Sequence, residues 1–258
     1  MNSKIIGIII LIIAIGGSSA YFLTKNDLVD ISNQSIIQNE KVGLVINTIS
    51  PPKNINDLEK AYKIASTSGI GRTNLYIHWD QLEPTKGNFD WRVTDIMMTL
   101  NEKYNLKTTL YFSVINADRL GPFPLWMGNQ VLGKSLENDT IRVLNEILSR
   151  YENIDYVIFA GDIDYHFQRA SASIPLYAEF FDGVSKEIKS NHPNVKIGNS
   201  MSLENIINKG MMSGGSFELT PQLTMGDFIA LSYKPTDTVG DIDRTPQEAM
   251  NDFEKSLE

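Results

Sequence analysis

The sequence has no cysteine. That excludes disulfides, thiol nucleophiles and thiolate-bound metals. It leaves the redox compartment open, because an exported protein needs no disulfide. Histidine is scarce: His78, His166 and His192 are the three, and they lack metal-ligand spacing. No metal and no cofactor is therefore expected. No basic cluster stands out in a chain of net charge −8, which argues against nucleic acid as a partner. There is no G-x-S-x-G elbow, and Gly69-Ile-Gly71 and Gly214-Gly215 are too short to cradle phosphate. What remains is an acidic chain of 258 residues, 42% hydrophobic, enough for one large domain or two small ones.

Residues 1–24 read as a targeting segment. Ile5 to Leu23 carries no charge and lies between Lys4 and Lys25. At about 1.5 Å per residue it is just long enough to span a membrane as a helix. Gly16-Gly-Ser-Ser-Ala20 also suits a signal-peptide cleavage region, so a retained transmembrane anchor and a cleaved peptide both stand. Either predicts a membrane-anchored or secreted protein facing outside the cytoplasm. Residues 25–41 are polar and read as a stalk.

From residue 42 to 258, strand-like and helix-like segments alternate. Strands are expected over Val42–Thr48, Thr73–Trp79, Lys107–Val114, Ile154–Ala160, Val195–Asn199 and Asp227–Tyr233. Helices are expected over Asn54–Ser68, Arg92–Tyr104, Asn138–Tyr151, Ile174–Ser190 and Pro246–Leu257. Val42–Thr48 is continuously apolar and predicts a strand buried on both faces. Six βα units imply a parallel sheet with helices outside, either doubly wound or a barrel. A (β/α)8 barrel takes about 250 residues. Six units leave it two short, with an open edge that calls for a protein partner, self-association or a longer gene product.

Two stretches carry the candidate chemistry. Asn74-Leu-Tyr-Ile-His-Trp-Asp-Gln-Leu-Glu-Pro-Thr-Lys-Gly-Asn-Phe-Asp-Trp91 reads as a buried strand entering a substrate-side loop, broken by Glu83-Pro84 and turned at Gly87. Asp155-Tyr-Val-Ile-Phe-Ala-Gly-Asp-Ile-Asp-Tyr-His-Phe167 delivers Asp162 and Asp164 at the end of another strand. Strand C-termini are where parallel α/β proteins place their chemistry. Asp162-Ile-Asp164 is also formally a DxD, the metal- and nucleotide-sugar-binding pattern of many glycosyltransferases, but a bare DxD is common by chance.

Both stretches resemble retaining (β/α)8 glycoside hydrolases. The first resembles their Trp…Glu-Pro…Gly…aromatic-Asp-Trp pattern. The second resembles the fourth strand, which ends in Gly-Asn-Glu with an Asp two residues on. Ala160 matches the Gly, Gly161 the Asn, Asp162 the acid/base Glu and Asp164 the trailing Asp. Phe228-Ile-Ala-Leu-Ser-Tyr-Lys-Pro235 resembles the sixth strand, with Tyr233 facing the sugar. The resemblance implies a (β/α)8 TIM-barrel-like fold, incomplete at six units, and a carbohydrate ligand. It makes Asp162 the catalytic candidate and Trp79, Trp126, Asp164 and Tyr233 the sugar contacts. Two departures matter. Asp162 is one methylene shorter than Glu, and the family's nucleophile belongs to a seventh strand not found here. Two functions follow: hydrolysis of O-glycosyl bonds in a polysaccharide or glycoconjugate, or an inactive, membrane-anchored carbohydrate-binding or scaffolding pseudoenzyme.

Overall fold

The computed structural model describes residues 9–12, 38–46, 54–207, 222–233 and 244–255. Six of the strands are those of the expected βα units: β2 (Asn39–Leu44), β3 (Ile70–Tyr76), β4 (Lys107–Tyr111), β7 (Ile154–Ala160), β8 (Lys196–Ser202) and β9 (Phe228–Tyr233). They join in the parallel order β9-β8-β7-β4-β3-β2, so each strand pairs with its predecessor among the βα units and the sheet curls one way. The helices α1 (Ile55–Ser66), α3 (Arg92–Lys103), α4 (Lys134–Arg150), α6 (Ile174–Asn191) and α8 (Pro246–Lys255) follow the strands. Short elements complete the set: α2 (Trp79–Leu82), a hairpin of β5 (Ile115–Asn116) and β6 (Arg119–Leu120), α5 (Ile163–Arg169) and α7 (Leu203–Ile207).

Three expectations change. The four residues described within the supposed membrane helix, Ile9–Ile12, form a strand, β1, parallel to β9 with Ile9 opposite Ala230 and Ile12 opposite Tyr233. An isoleucine-rich run suits a strand, because β-branched side chains lose little freedom there. β1 also runs beside β2, so it occupies the edge that the six units leave open. No helix among the described residues is long and apolar enough to cross a membrane. The stalk residues 25–37 lie outside the described residues, and Asn39–Lys41, assigned to the stalk, belong to β2. Finally, β2 starts earlier than Val42 and is exposed along most of its length, with Val42 itself 46% exposed.

The main core lies between the sheet and its helices. Leu75, Leu110, Val157, Phe159, Ile197 and Met201 from the strands meet Leu136, Val143, Ile147, Phe180, Phe181 and Val184 from α4 and α6. By the two-residue period of a strand, the alternate positions face inward. The inner set is mixed: Tyr76, Tyr111, Tyr156, Ile158, Phe228 and Ala230 form an apolar cluster. Below it sits Arg72, 3% exposed. Its guanidinium makes a two-pronged pair with Asp155 on β7, Nη1 to Oδ1 and Nη2 to Oδ2, each 2.9 Å. Nη1 also donates to Thr109 Oγ1 at 2.9 Å on β4, and Nε donates to the Glu40 carbonyl on β2. The Tyr156 ring lies 4.7 Å from the guanidinium carbon.

Arg72→Met is expected to lower unfolding free energy by about 3 kcal/mol, because it leaves Asp155 and Thr109 without their donor. The double variant Arg72→Met/Asp155→Leu should cost less than the sum of the singles in urea titrations. Additive costs would show that the pair is not coupled.

Candidate active site

Strand C-termini converge on Asp162. The extension of β4 keeps pairing with the end of β7: the Val114 N–H donates to the Phe159 carbonyl at 3.0 Å and the Gly161 N–H to the Ile115 carbonyl at 2.9 Å. The β5–β6 hairpin is thereby strapped over the end of β7, with the Ala117 N–H on the Gly161 carbonyl. Asp162 then turns left-handed, φ 48° and ψ 47°, a conformation that Asp and Asn tolerate better than most residues. The turn directs its carboxylate to the inward serines of the next two strands. Ser200 Oγ accepts from the Asp162 N–H at 2.8 Å and donates to Asp162 Oδ1 at 3.2 Å. Ser232 Oγ donates to the same oxygen.

Tyr76 and Tyr111 stack beside this carboxylate, with centroids 4.4 Å apart. Burial, followed by the charge of Asp162, pushes the Tyr76 phenol up to about 12 and raises Tyr111 still further, so both stay protonated near neutrality. The position of Tyr111 explains why glycine stands at 161, where the glycosidase pattern has Asn. A β-carbon on residue 161 would lie 1.6 Å from the Tyr111 hydroxyl and 2.5 Å from its Cζ. The tyrosine ring fills the space an asparagine side chain would need, so only glycine fits.

Asp164, matched to the trailing Asp, is fully buried and does not reach the mouth. Its Oδ1 accepts the Ser202 N–H at 3.0 Å and its Oδ2 accepts the Asn205 side-chain amide. It ties the start of α5 to the junction of β8 and α7. Burial raises its carboxyl to about 6, opposed by these two donors and aided by the nearby Asp162 charge.

Two of the aromatic residues assigned from sequence as sugar contacts, Trp79 and Tyr233, pack in the outer layer. Trp79 is 3% exposed and packs into the outer core at 5.5 Å from Phe112 and 5.7 Å from Phe123, ring to ring. Its Nε1–H donates to Glu83 Oε2 at 2.8 Å. The strand ends at Tyr76, three residues before the expected end, so Trp79 opens α2 and folds back under the helices. Trp126 is half-buried: its Nε1–H donates to the Glu83 carbonyl at 3.0 Å and Lys86 sits 5.2 Å over its ring. Tyr233 points outward to α8, where its hydroxyl donates to Asp252 Oδ2 at 2.9 Å. Strand alternation decides this, because Ser232 takes the inward position and residue 233 must take the opposite one.

Glu83 is a structural hub. It is 0% exposed and binds Trp79, the Gly87 N–H at 2.6 Å and the Arg142 guanidinium at 2.9 Å. Burial alone would raise its pKa, but Arg142, Gly87 and Trp79 outweigh it and hold the carboxyl below its ordinary value.

Sequence reasoning missed Tyr76, Tyr111, Ser200 and Ser232. The tyrosines are visible as strand ends, but serines inside strands give no motif. His78, just after the end of β3, is exposed. With Ile77, Trp79, Tyr111, Ser113, Asn116 and Pro122 it lines a cavity of about 10 Å³, room for about one water. No group of acidic and histidine residues that could hold a metal is found among the described residues.

No family model and no curated protein matches the sequence. Solved structures do match. An exo-β-1,4-mannosidase, Op5Man5, from Opitutaceae bacterium strain TAV5 aligns with TM-score 0.52 at 13% identity, over 68% of this chain and 34% of its own. A GH5_18 protein from Bifidobacterium longum subsp. longum aligns with TM-score 0.52 at 13% identity, over 74% and 49%. A β-glucosidase, 1317, aligns with TM-score 0.50 at 14% identity, over 69% and 55%. The fold is glycoside hydrolase-like. The chain spans between about a third and just over half the length of these proteins. At such identities the likeness speaks for the barrel and leaves the chemistry to the site.

Two predictions follow from the packing around Asp162. Gly161→Ala is expected to destabilise by roughly 1–3 kcal/mol through overpacking against Tyr111, and Tyr111→Leu in that background should recover part of the loss in urea titrations. Asp164 binds its proton more tightly folded than unfolded, since about 6 exceeds 3.8. Its contribution is therefore greatest below pH 4 and declines as pH rises towards 6. Asp164→Asn should remove that decline, read as the difference in unfolding midpoint between pH 4 and pH 7. An unchanged slope in the variant would mean another group sets it.

Proposed function

We propose that this chain is a glycoside hydrolase-like protein whose barrel mouth takes a sugar unit, with Asp162 as the acid that acts on an O-glycosyl bond. The observation that carries the reading is the position of the Asp162 carboxylate, held by Ser200 and Ser232 at the C-terminal mouth of a (β/α) barrel. This is the end of the strands where barrel enzymes put their chemistry. The half-buried Tyr76, backed by the stacked and buried Tyr111, offers an aromatic face with a hydroxyl for a sugar ring. The names of two aligned structures, an exo-β-1,4-mannosidase and a β-glucosidase, make β-linked hexosides the first substrates to try. An extracytoplasmic location goes with this reading and rests only on the sequence of residues 1–24.

A second reading has its own support. Tyr111 occupies the space beside Gly161 where the glycosidase pattern has an amide for the sugar hydroxyl. Loss of that donor suits a protein that binds carbohydrate without cleaving it.

The two readings part on one experiment. With aryl β-mannosides and β-glucosides, the hydrolase reading expects measurable turnover that Asp162→Asn lowers at least 10²-fold. The binding reading expects no turnover in either protein, with calorimetric binding of mannan or glucan fragments that Tyr76→Ala weakens about tenfold. Neither turnover nor sugar binding would sink both.

A further inference from the structure

The β5–β6 hairpin brings an amide beside residue 161 from the neighbouring strand. The Gly161 N–H donates to the Ile115 carbonyl and the Ala117 N–H to the Gly161 carbonyl, each at 2.9 Å. Those two bonds make Asn116, on β5, the direct parallel partner of Gly161. Partners in register carry their side chains on one face. On that face a β-carbon at 161 would meet the Tyr111 hydroxyl, so the Asn116 side chain leaves the chain on the Tyr111 side. The water-sized cavity agrees with this, because Asn116 and Tyr111 line it together.

His78, Ser113 and Asn116 follow the ends of β3 and β4, which puts this cavity at the C-terminal end of the barrel. Ser113 is already engaged: its Oγ accepts the Gly161 N–H at 2.8 Å and donates to the Ile115 carbonyl. Asn116 differs. It is half-buried, and among the described residues its amide has no hydrogen-bond partner and is not sealed from solvent. An amide donates and accepts, which matches a hydroxyl in both directions. A volume of about 10 Å³ admits one oxygen-sized group and excludes a ring. The Asn116 Cα is one strand spacing, about 4.8 Å, from that of Gly161, and Asp162 is the next residue. Asn116 and Asp162 therefore stand within about 9 Å of each other, Cα to Cα.

We infer that this cavity is a hydroxyl pocket and that Asn116 is a specificity-determining residue of the sugar site. One hydroxyl of a sugar held beside Asp162 enters the cavity and hydrogen-bonds the Asn116 amide, while the ring stays outside. The amide stands one strand over from residue 161, where Tyr111 leaves no room for one. The inference rests on the sugar-binding reading above and is the same whether Asp162 cleaves the sugar or only binds it.

The test is an NMR titration of the full chain with methyl β-mannoside and methyl β-glucoside, and with analogues that each lack one hydroxyl. In the wild type, one analogue should bind about tenfold more weakly than its parent. Asn116→Ala should weaken the parent by about the same factor and show no further loss with that analogue. This non-additivity marks a direct contact, since a merely structural role would weaken the parent and every analogue alike. Asn116→Leu, which keeps the volume and removes the hydrogen-bonding groups, gives the same readout should the smaller side chain unfold the hairpin. Parent affinity unchanged in the variants, or losses that add for every analogue, would overturn the role of Asn116 and leave the sugar-binding reading standing. A wild type that binds no sugar would remove that reading and this inference with it.

Discussion

A guanidinium buried inside a barrel is the constraint on which the other layers rest. Arg72 reaches β2 through the Glu40 carbonyl, β4 through Thr109 and β7 through Asp155, so one side chain links four strands. Such a pair is weak evidence of net stability, because desolvation offsets much of the attraction. Its geometry is demanding, however, and that fixes register. The β4–β7 ladder slips between Thr108 and Thr109, and the slip brings Asp155 to the inside. With Arg72 at the floor, Tyr76 and Tyr111 are stacked above it on paired positions of β3 and β4. The tyrosines in turn determine what residue 161 can be.

Two buried carboxylates show how the same burial gives opposite outcomes. Glu83 meets a cation, a peptide N–H and an indole N–H, and its negative charge is the favoured state. Asp164 meets only neutral donors and lies near another carboxylate, so burial wins and its proton is held more tightly. The Glu83 hub serves the scaffold: it gathers the β3–α3 loop, the Trp126 turn and α4. Its resemblance to the Glu-Pro of glycosidases is thus a resemblance of architecture.

Periodicity made most of the barrel legible. The helices α3, α4 and α6 and the strands β7 and β9 fall close to where their apolar spacing puts them. The site was harder because it depends on which face a residue occupies. Tyr233 is one position from Ser232, and that single step separates the barrel mouth from the outer helix layer. Trp79 was misplaced for a similar reason, since β3 stops three residues early and the chain folds back. Ser200, Ser202 and Ser232 gain meaning only from long-range ladder pairing, which no local pattern encodes. Asp162 stands out in the sequence because its strand ends in a recognisable motif.

The short side chain of Asp162 is better understood with its backbone than as a truncated glutamate. A left-handed residue costs roughly 1 kcal/mol or more, and such strain persists where surrounding contacts over-determine it. Here the contacts are specific: the N–H of Asp162 is bound by the same Ser200 hydroxyl that binds its carboxylate. A carboxyl one methylene further out could not close that small ring and also meet Ser232. The turn, the aspartate and the two serines therefore form one unit. Gly161 belongs to it too, since the Tyr111 ring that excludes a side chain there also closes one side of the carboxylate's surroundings. The departures from the glycosidase pattern at residues 161 and 162 are thus mutually consistent. They belong to one arrangement, in which the neighbouring strands bring their hydroxyls to the shorter carboxylate.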